Sequence, residues 1–201
     1  MSRRTLKYIN RYPTPEQIYI KLQNNSWPYK TNLDYYRLRD KALCVVLYVV
    51  ALRVSEALRL TRENFTVNQS SITIEGIQLS KATKTYTKGK FKGKTVTRKQ
   101  LFREYAFIRL DGERENLGKM VEEYLMMLDS KEKLFKFKRA RAYQIVSTLL
   151  GVPCHWLRAF GENYLYDHWE HDILAVSDYV KIEPQTLSQY IRRSYKKYKE
   201  I

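Results

Sequence analysis

The chain has 201 residues, is 44% hydrophobic, and carries 37 Lys+Arg against 21 Asp+Glu, for a formal net charge of +16. That length suits one substantial domain with at most a small appendage, and that apolar share excludes wholesale disorder. The charge carries no information about fold; it favours a polyanionic partner such as nucleic acid, because each neutralised phosphate releases condensed counterions.

Residues 1–13 read as a basic N-terminal arm, and residues 14–201 as one domain. In Thr14-Pro15-Glu16-Gln17, an N-cap is followed by proline at the first helical position and by glutamine three residues on, which predicts a short helix to about Leu22. Asn24-Asn25-Ser26-Trp27-Pro28 breaks it. Asn32 or Asp34 starts the next helix, whose apolar stretch runs through Leu52 and is apolar nearly all round, as a central buried helix should be. Ser55 to Leu60 predicts a further short helix, ending near Thr61-Arg62-Glu63-Asn64. The period then changes to alternation at Phe65–Asn68 and Ser71–Leu79, a strand signature. Lys88 to Lys94 is a basic, glycine-bearing loop, and Tyr105–Leu110 is the returning strand, closed by Asp111-Gly112. The expectation here is a small antiparallel sheet with an exposed basic tip. Helical spacing returns at Leu117–Leu128. Leu134–Lys138 reads as a short strand or an extended linker. Ala140–Leu150 is a helix stopped by Gly151, with Pro153 beyond. Helices around 155–167, 172–180 and 185–199 complete the chain. The fold class is α+β, mainly α, with a small antiparallel sheet.

Two cysteines, Cys44 and Cys154, are too few for a disulfide framework. The N-terminus has no apolar core for a signal peptide, and the longest apolar run, Ala42 to Leu52, is too short to span a bilayer. The expectation is a soluble intracellular protein of the cytoplasm or nucleoid, with no membrane partner.

Ala51-Leu52-Arg53-Val54-Ser55-Glu56, continuing to Thr61, resembles the first arginine box of the tyrosine recombinase (phage integrase) family. His155-Trp156-Leu157-Arg158 resembles its second box. From Arg158 to Tyr190 is 32 residues (190 − 158), which matches the distance to the nucleophile in that family. The resemblance covers roughly residues 14–199. It implies an integrase-like catalytic domain that breaks and rejoins DNA without metal or cofactor, through a 3′-phosphotyrosine. It also implies double-stranded DNA as partner, self-association on DNA with possible exchange of terminal helices, and service to a mobile genetic element. Residues 1–30 are too few for the family's separate N-terminal core-binding domain; the expectation is a catalytic fragment or a naturally short recombinase.

The chemistry of the residues agrees. A phosphodiester under attack gains charge on its non-bridging oxygens, and the planar forks of Arg53 and Arg158 match two such oxygens. Glu56 is expected to brace an arginine or a helix end. Tyr190 is the nucleophile that the spacing selects, with Tyr195 next. The family places a lysine on the sheet to protonate the departing 5′-oxygen; Lys81 is the best match and Lys84 lies close behind. His155 contacts the phosphate or relays a proton. Lys181 stands nine residues before Tyr190, where the family usually has histidine or tryptophan; this departs from the pattern, but a lysine can donate to a phosphate oxygen, and Lys181 is counted among the catalytic candidates.

Plainer readings stand beside these. Arg53 can be a surface arginine, Arg158 can pair with Glu162 at i+4, and the loop lysines can merely touch backbone phosphate. Asp167-His168-Trp169-Glu170-His171-Asp172 resembles a metal cluster but reads as a solvated turn, and Cys154 lacks the partner pattern of a thiol nucleophile. Two other functions share the fold: a DNA-binding regulator with weak or no chemistry, which Lys181 permits, and a relaxing topoisomerase of the type IB kind.

Overall fold

The computed structural model describes residues 15–24, 34–79, 83–85, 89, 95–97, 102–112, 115–189 and 191. The basic arm, most of the loop tip, Lys81 and Tyr190 lie outside the described residues. Helix α1 spans Pro15–Gln23 and buries Ile18 and Leu22, which lie one turn apart on one face. Lys21 donates to the Leu150 carbonyl at 3.2 Å and so places a cation at the end of a later helix, where the dipole favours it.

Helix α2 spans Asp34–Val49, and every residue from Asp40 to Tyr48 is buried. The one carboxylate in that stretch, Asp40, is paired with Arg39 at 2.6 Å. The helix stops three residues short of the apolar run that predicted its end at Leu52. Val50, Ala51 and Leu52 are as buried as the helix itself, so the run marks the core rather than the helix. Ala51 turns the chain with φ 54°, a left-handed conformation that costs an alanine about 1–2 kcal/mol. Helix α3 follows as Val54–Ala57, shorter than the predicted Ser55–Leu60, and a 3-10 turn at Arg62–Asn64 leads into the sheet.

The sheet has the order β1 (Phe65–Val67), β2 (Ser71–Gln78), β5 (Phe102–Arg109), all antiparallel. A separate antiparallel pair, β3 (Thr83–Thr85) with β4 (Thr95–Thr97), was not foreseen from sequence. It frames the basic loop, of which Gly89 is described and exposed. Strand β5 begins three residues earlier than the predicted Tyr105. Ile72, Ile74 and Ile77 of β2 and Ala106 and Ile108 of β5 face the core. The alternation shifts by one residue at Gly76, whose φ of 65° kinks β2; Glu75 and Gly76 are both exposed, as are Glu104 and Tyr105 across from them. Past the kink the register pairs Ile77 with Arg103, and both side chains are buried.

Helix α4 (Glu115–Met126) packs on α2. Residues 134–138 form no strand. A single antiparallel bridge joins Lys133 to Thr61, and the Leu134 N–H donates to the Leu60 carbonyl at 2.9 Å, so the segment is the linker of the two predicted options. Helix α5 (Arg139–Leu150) ends at Gly151 as predicted. Helix α6 (Cys154–His168) crosses the end of α2 at Gly161, where a Cβ would lie 1.9 Å from the Tyr48 carbonyl oxygen. Only a residue without a side chain permits that approach. Helix α7 (Ile173–Val180) is capped by Asp172, whose carboxylate accepts from the Leu174 and Ala175 N–H groups. Residues 184–189 are helical. A second, smaller core gathers Ala51, Leu165, Val176, Val180, Leu187 and Ile191 beneath the 50–53 turn. Among the described residues, no helix is long and apolar enough to cross a membrane.

Candidate active site

Arg53 is the extended residue that opens α3, with φ −75° and ψ 148°. Glu56, three residues on, folds back over it. One carboxylate oxygen accepts the Arg53 backbone N–H at 2.8 Å, and the other accepts Nη1 of Arg53 at 2.7 Å. Glu56 therefore braces both an arginine and a helix start. Burial alone would raise the Glu56 carboxyl, but the Arg53 N–H, the Arg53 guanidinium and Arg158 outweigh it, and its pKa lies below the ordinary value. The Arg53 side chain keeps 28% of its surface exposed, so the cation is held through Nη1 yet is not closed off from solvent.

Arg158 comes from the second turn of α6 and is buried, with 9% of its side chain exposed. Its Nε donates to Glu162 Oε1 at 2.6 Å, the ion pair that the i+4 spacing allows. Its Nη1 lies 3.8 Å from Glu56 Oε2, too long for a hydrogen bond, and is buried without a hydrogen-bond partner. Two arginines far apart in sequence thus share one carboxylate. Glu162 behaves oppositely to Glu56: burial raises its pKa, and Arg158 only partly offsets this.

His155 lies one turn before Arg158 on α6, and its side chain is exposed in the first turn. Protein packed along the ring still lowers its pKa by desolvation, which favours neutral imidazole. Lys181 closes α7 with φ 53°, and its ammonium pairs with Asp178 at 2.8 Å on the surface. Among the described residues, that is the ion pair Lys181 makes, and it ties the lysine to its own helix. Lys81 and Tyr190 lie outside the described residues; of Lys84, the backbone belongs to β3. Leu187 and Ile191, on either side of position 190, are buried in the core that holds Ala51.

The sequence reading missed Arg103. It is 2% exposed, its Nη1 donates to the Val50 carbonyl at 2.7 Å, and its guanidinium carbon sits 3.7 Å from the centre of the Tyr179 ring. The signal lay in the strand pairing. Extending β5 back opposite Ile77 puts an arginine on the buried face, whereas a strand begun at Tyr105 leaves it in the loop.

The weaker motifs resolve simply. His171 approaches Asp167 at 3.7 Å on an exposed turn, and His168 stacks on Tyr164. Among the described residues, no group of three His, Cys, Asp or Glu side chains could hold a metal ion. Burial pushes the Cys154 thiol up to about 11, so it stays protonated at neutral pH.

Helices gathered beside a small antiparallel sheet, with the sheet inserted between an arginine-bearing turn and the later helices, make a recombinase-like fold. The XerH site-specific recombinase bound to its difH substrate, in a pre-cleavage complex, matches with a TM-score of 0.61 at 17% identity over 90% of this chain and 49% of that one. The same recombinase in a post-cleavage complex with palindromic difH matches with a TM-score of 0.63 at 18% identity over 95% of this chain and 53% of that one. This chain spans about half the length of those proteins. No protein-family model matches the sequence, and no curated protein matches it.

Proposed function

We propose that this chain is the catalytic domain, over residues 14–201, of a site-specific DNA recombinase that cleaves and rejoins strands through a 3′-phosphotyrosine. The observation that carries the reading is the shared carboxylate: Glu56 holds Arg53 and approaches Arg158, so two guanidinium groups from distant segments converge on one place. Fixed cations at such a place act on charge that develops as phosphorus becomes pentacoordinate. The fold likeness to a recombinase solved on DNA and the net charge of +16 support the same partner, double-stranded DNA.

In this mechanism the Tyr190 phenolic oxygen attacks phosphorus and loses its proton as the bond forms. The bond from phosphorus to the 5′-oxygen breaks, and Lys81 or Lys84 delivers a proton to that oxygen. Arg53 and Arg158 hold the non-bridging oxygens, and neutral His155 accepts or relays a proton. Reversal by a 5′-hydroxyl rejoins a strand without an energy source, because the phosphotyrosyl ester conserves the energy of the broken link. Copies of the chain assemble on DNA to exchange strands.

A nicked suicide substrate tests this. Wild-type protein is expected to form a covalent adduct that survives denaturation and disappears in Tyr190→Phe. Binding with no adduct from wild type sinks the recombinase reading. It would favour instead the regulator reading, for which the specific observation is Lys181, held by Asp178 at the surface.

A further inference from the structure

We infer that Arg103 is a positioning residue for strand cleavage: it locks the turn that carries Arg53 to the sheet and to α7. The inference rests on the recombinase reading above. Three elements meet at this one side chain. Its backbone belongs to β5, in register with Ile77 of β2. Its Nη1 binds the carbonyl of Val50, one of the last carbonyls at the C-terminal end of α2, where the helix itself supplies no donor and the dipole favours a cation. Its planar face lies over Tyr179 of α7, and the Tyr179 hydroxyl in turn accepts the Phe107 backbone N–H at 3.1 Å.

The turn needs such a lock. Ala51 stands in left-handed conformation without being glycine, and two residues later the chain must present Arg53 in extended form to start α3. Arg103 fixes the carbonyl just before that bend. The cost of placing it there is visible: Nε and Nη2 are buried with no hydrogen-bond partner. Burial pushes its pKa down, and the charges of Arg158 and Glu56 reach it, so it lies in the same electrostatic neighbourhood. An apolar side chain would fill the space without stranding two donors. What the arginine adds is a flat cation that binds the Val50 carbonyl through Nη1 and lies over the Tyr179 ring, tying that carbonyl to β5 and to the helix ahead of Lys181.

The test measures adduct formation at saturating suicide substrate, separately from DNA affinity, in wild type, Arg103→Met, Arg103→Lys, Tyr179→Leu and Arg53→Ala. A positioning role predicts that Arg103→Met slows adduct formation by about a hundredfold with DNA affinity unchanged. It predicts that Arg103→Lys, which keeps the charge but not the flat face stacked on Tyr179, stays slow, and that Tyr179→Leu, which keeps the Val50 hydrogen bond, slows it less. A merely structural role would instead lower the folded fraction and reduce binding and cleavage together. Cleavage at the wild-type rate by Arg103→Met, with Arg53→Ala defective, overturns the inference and leaves the function standing. If Arg103→Met does not fold, Arg103→Lys decides, and normal cleavage by it overturns the inference equally. No adduct from wild type removes the recombinase reading and this inference with it.

Discussion

The arginine cluster and the end of α7 both present cations, and they hold them in opposite ways. Arg158 sits beside two carboxylates that are each 2–3% exposed, and Arg53 is gripped from backbone and side chain by one of them. Lys181 pairs with an Asp178 whose side chain is 81% exposed. A buried charge cannot leave its partner without a large penalty, whereas an exposed pair contributes little and separates easily. The arginine half is therefore organised before any anion arrives. The Lys181–Asp178 pair is adjustable, and under the proposed function Lys181 exchanges Asp178 for a phosphate at small cost.

Substitutions that strike the two halves should differ accordingly. Arg53→Ala and Arg158→Ala should each lower the cleavage rate by about 10²–10³-fold, read as adduct formation, while DNA retention on a gel changes far less. Normal cleavage by either mutant removes that arginine from the site. Glu56→Gln should destabilise the fold by about 3 kcal/mol in urea unfolding at neutral pH, against under about 1 kcal/mol for Asp178→Asn. Equal losses would erase the contrast between the halves. The pH dependence has a worked sign. The folded-state pKa of Glu56 is depressed, so its contribution is complete above the unfolded value and is lost as pH falls through the lower folded value. Glu162 is raised, so its contribution is complete below the unfolded value and is lost as pH rises through the folded one. Glu162→Gln should consequently cost much less than Glu56→Gln at neutral pH. Lys181→Gly should stabilise the fold by about 1 kcal/mol, because glycine relieves the left-handed residue that caps α7, and so raise the thermal midpoint modestly. The smallest effect is at His155, whose imidazole should titrate by NMR below its ordinary value near 6.5. A midpoint at or above that value would contradict the desolvation of the ring.

Much of the framework was legible because local chemistry and tertiary packing agree there. The proline at the start of α1, the glycine after α5 and the switch from helical to alternating period all mark real boundaries. The end of α2 was illegible because Val50, Ala51 and Leu52 stay in the core after the helix has stopped, so hydrophobicity carries no sign of the bend. In the site, Arg53, Glu56 and Arg158 stand out in the sequence, and a shared carboxylate links them. Their partition between pairing and exposure is not written in any motif. Arg103 escaped because its direction depends on a kink in the neighbouring strand, at Gly76, and no reading of β5 alone contains that. Lys81 and Tyr190 rest on spacing and resemblance.

Gly161 carries a consequence for anyone comparing this chain with others. A methyl group there would overlap the oxygen of Tyr48 and wedge α6 outward from the C-terminal end of α2. The gap between the guanidinium of α6 and that of the 50–53 turn is thus calibrated by a hydrogen atom on an uncharged residue. An inventory of reactive groups would pass over it, yet Gly161→Ala would keep every one of those groups and spoil their spacing.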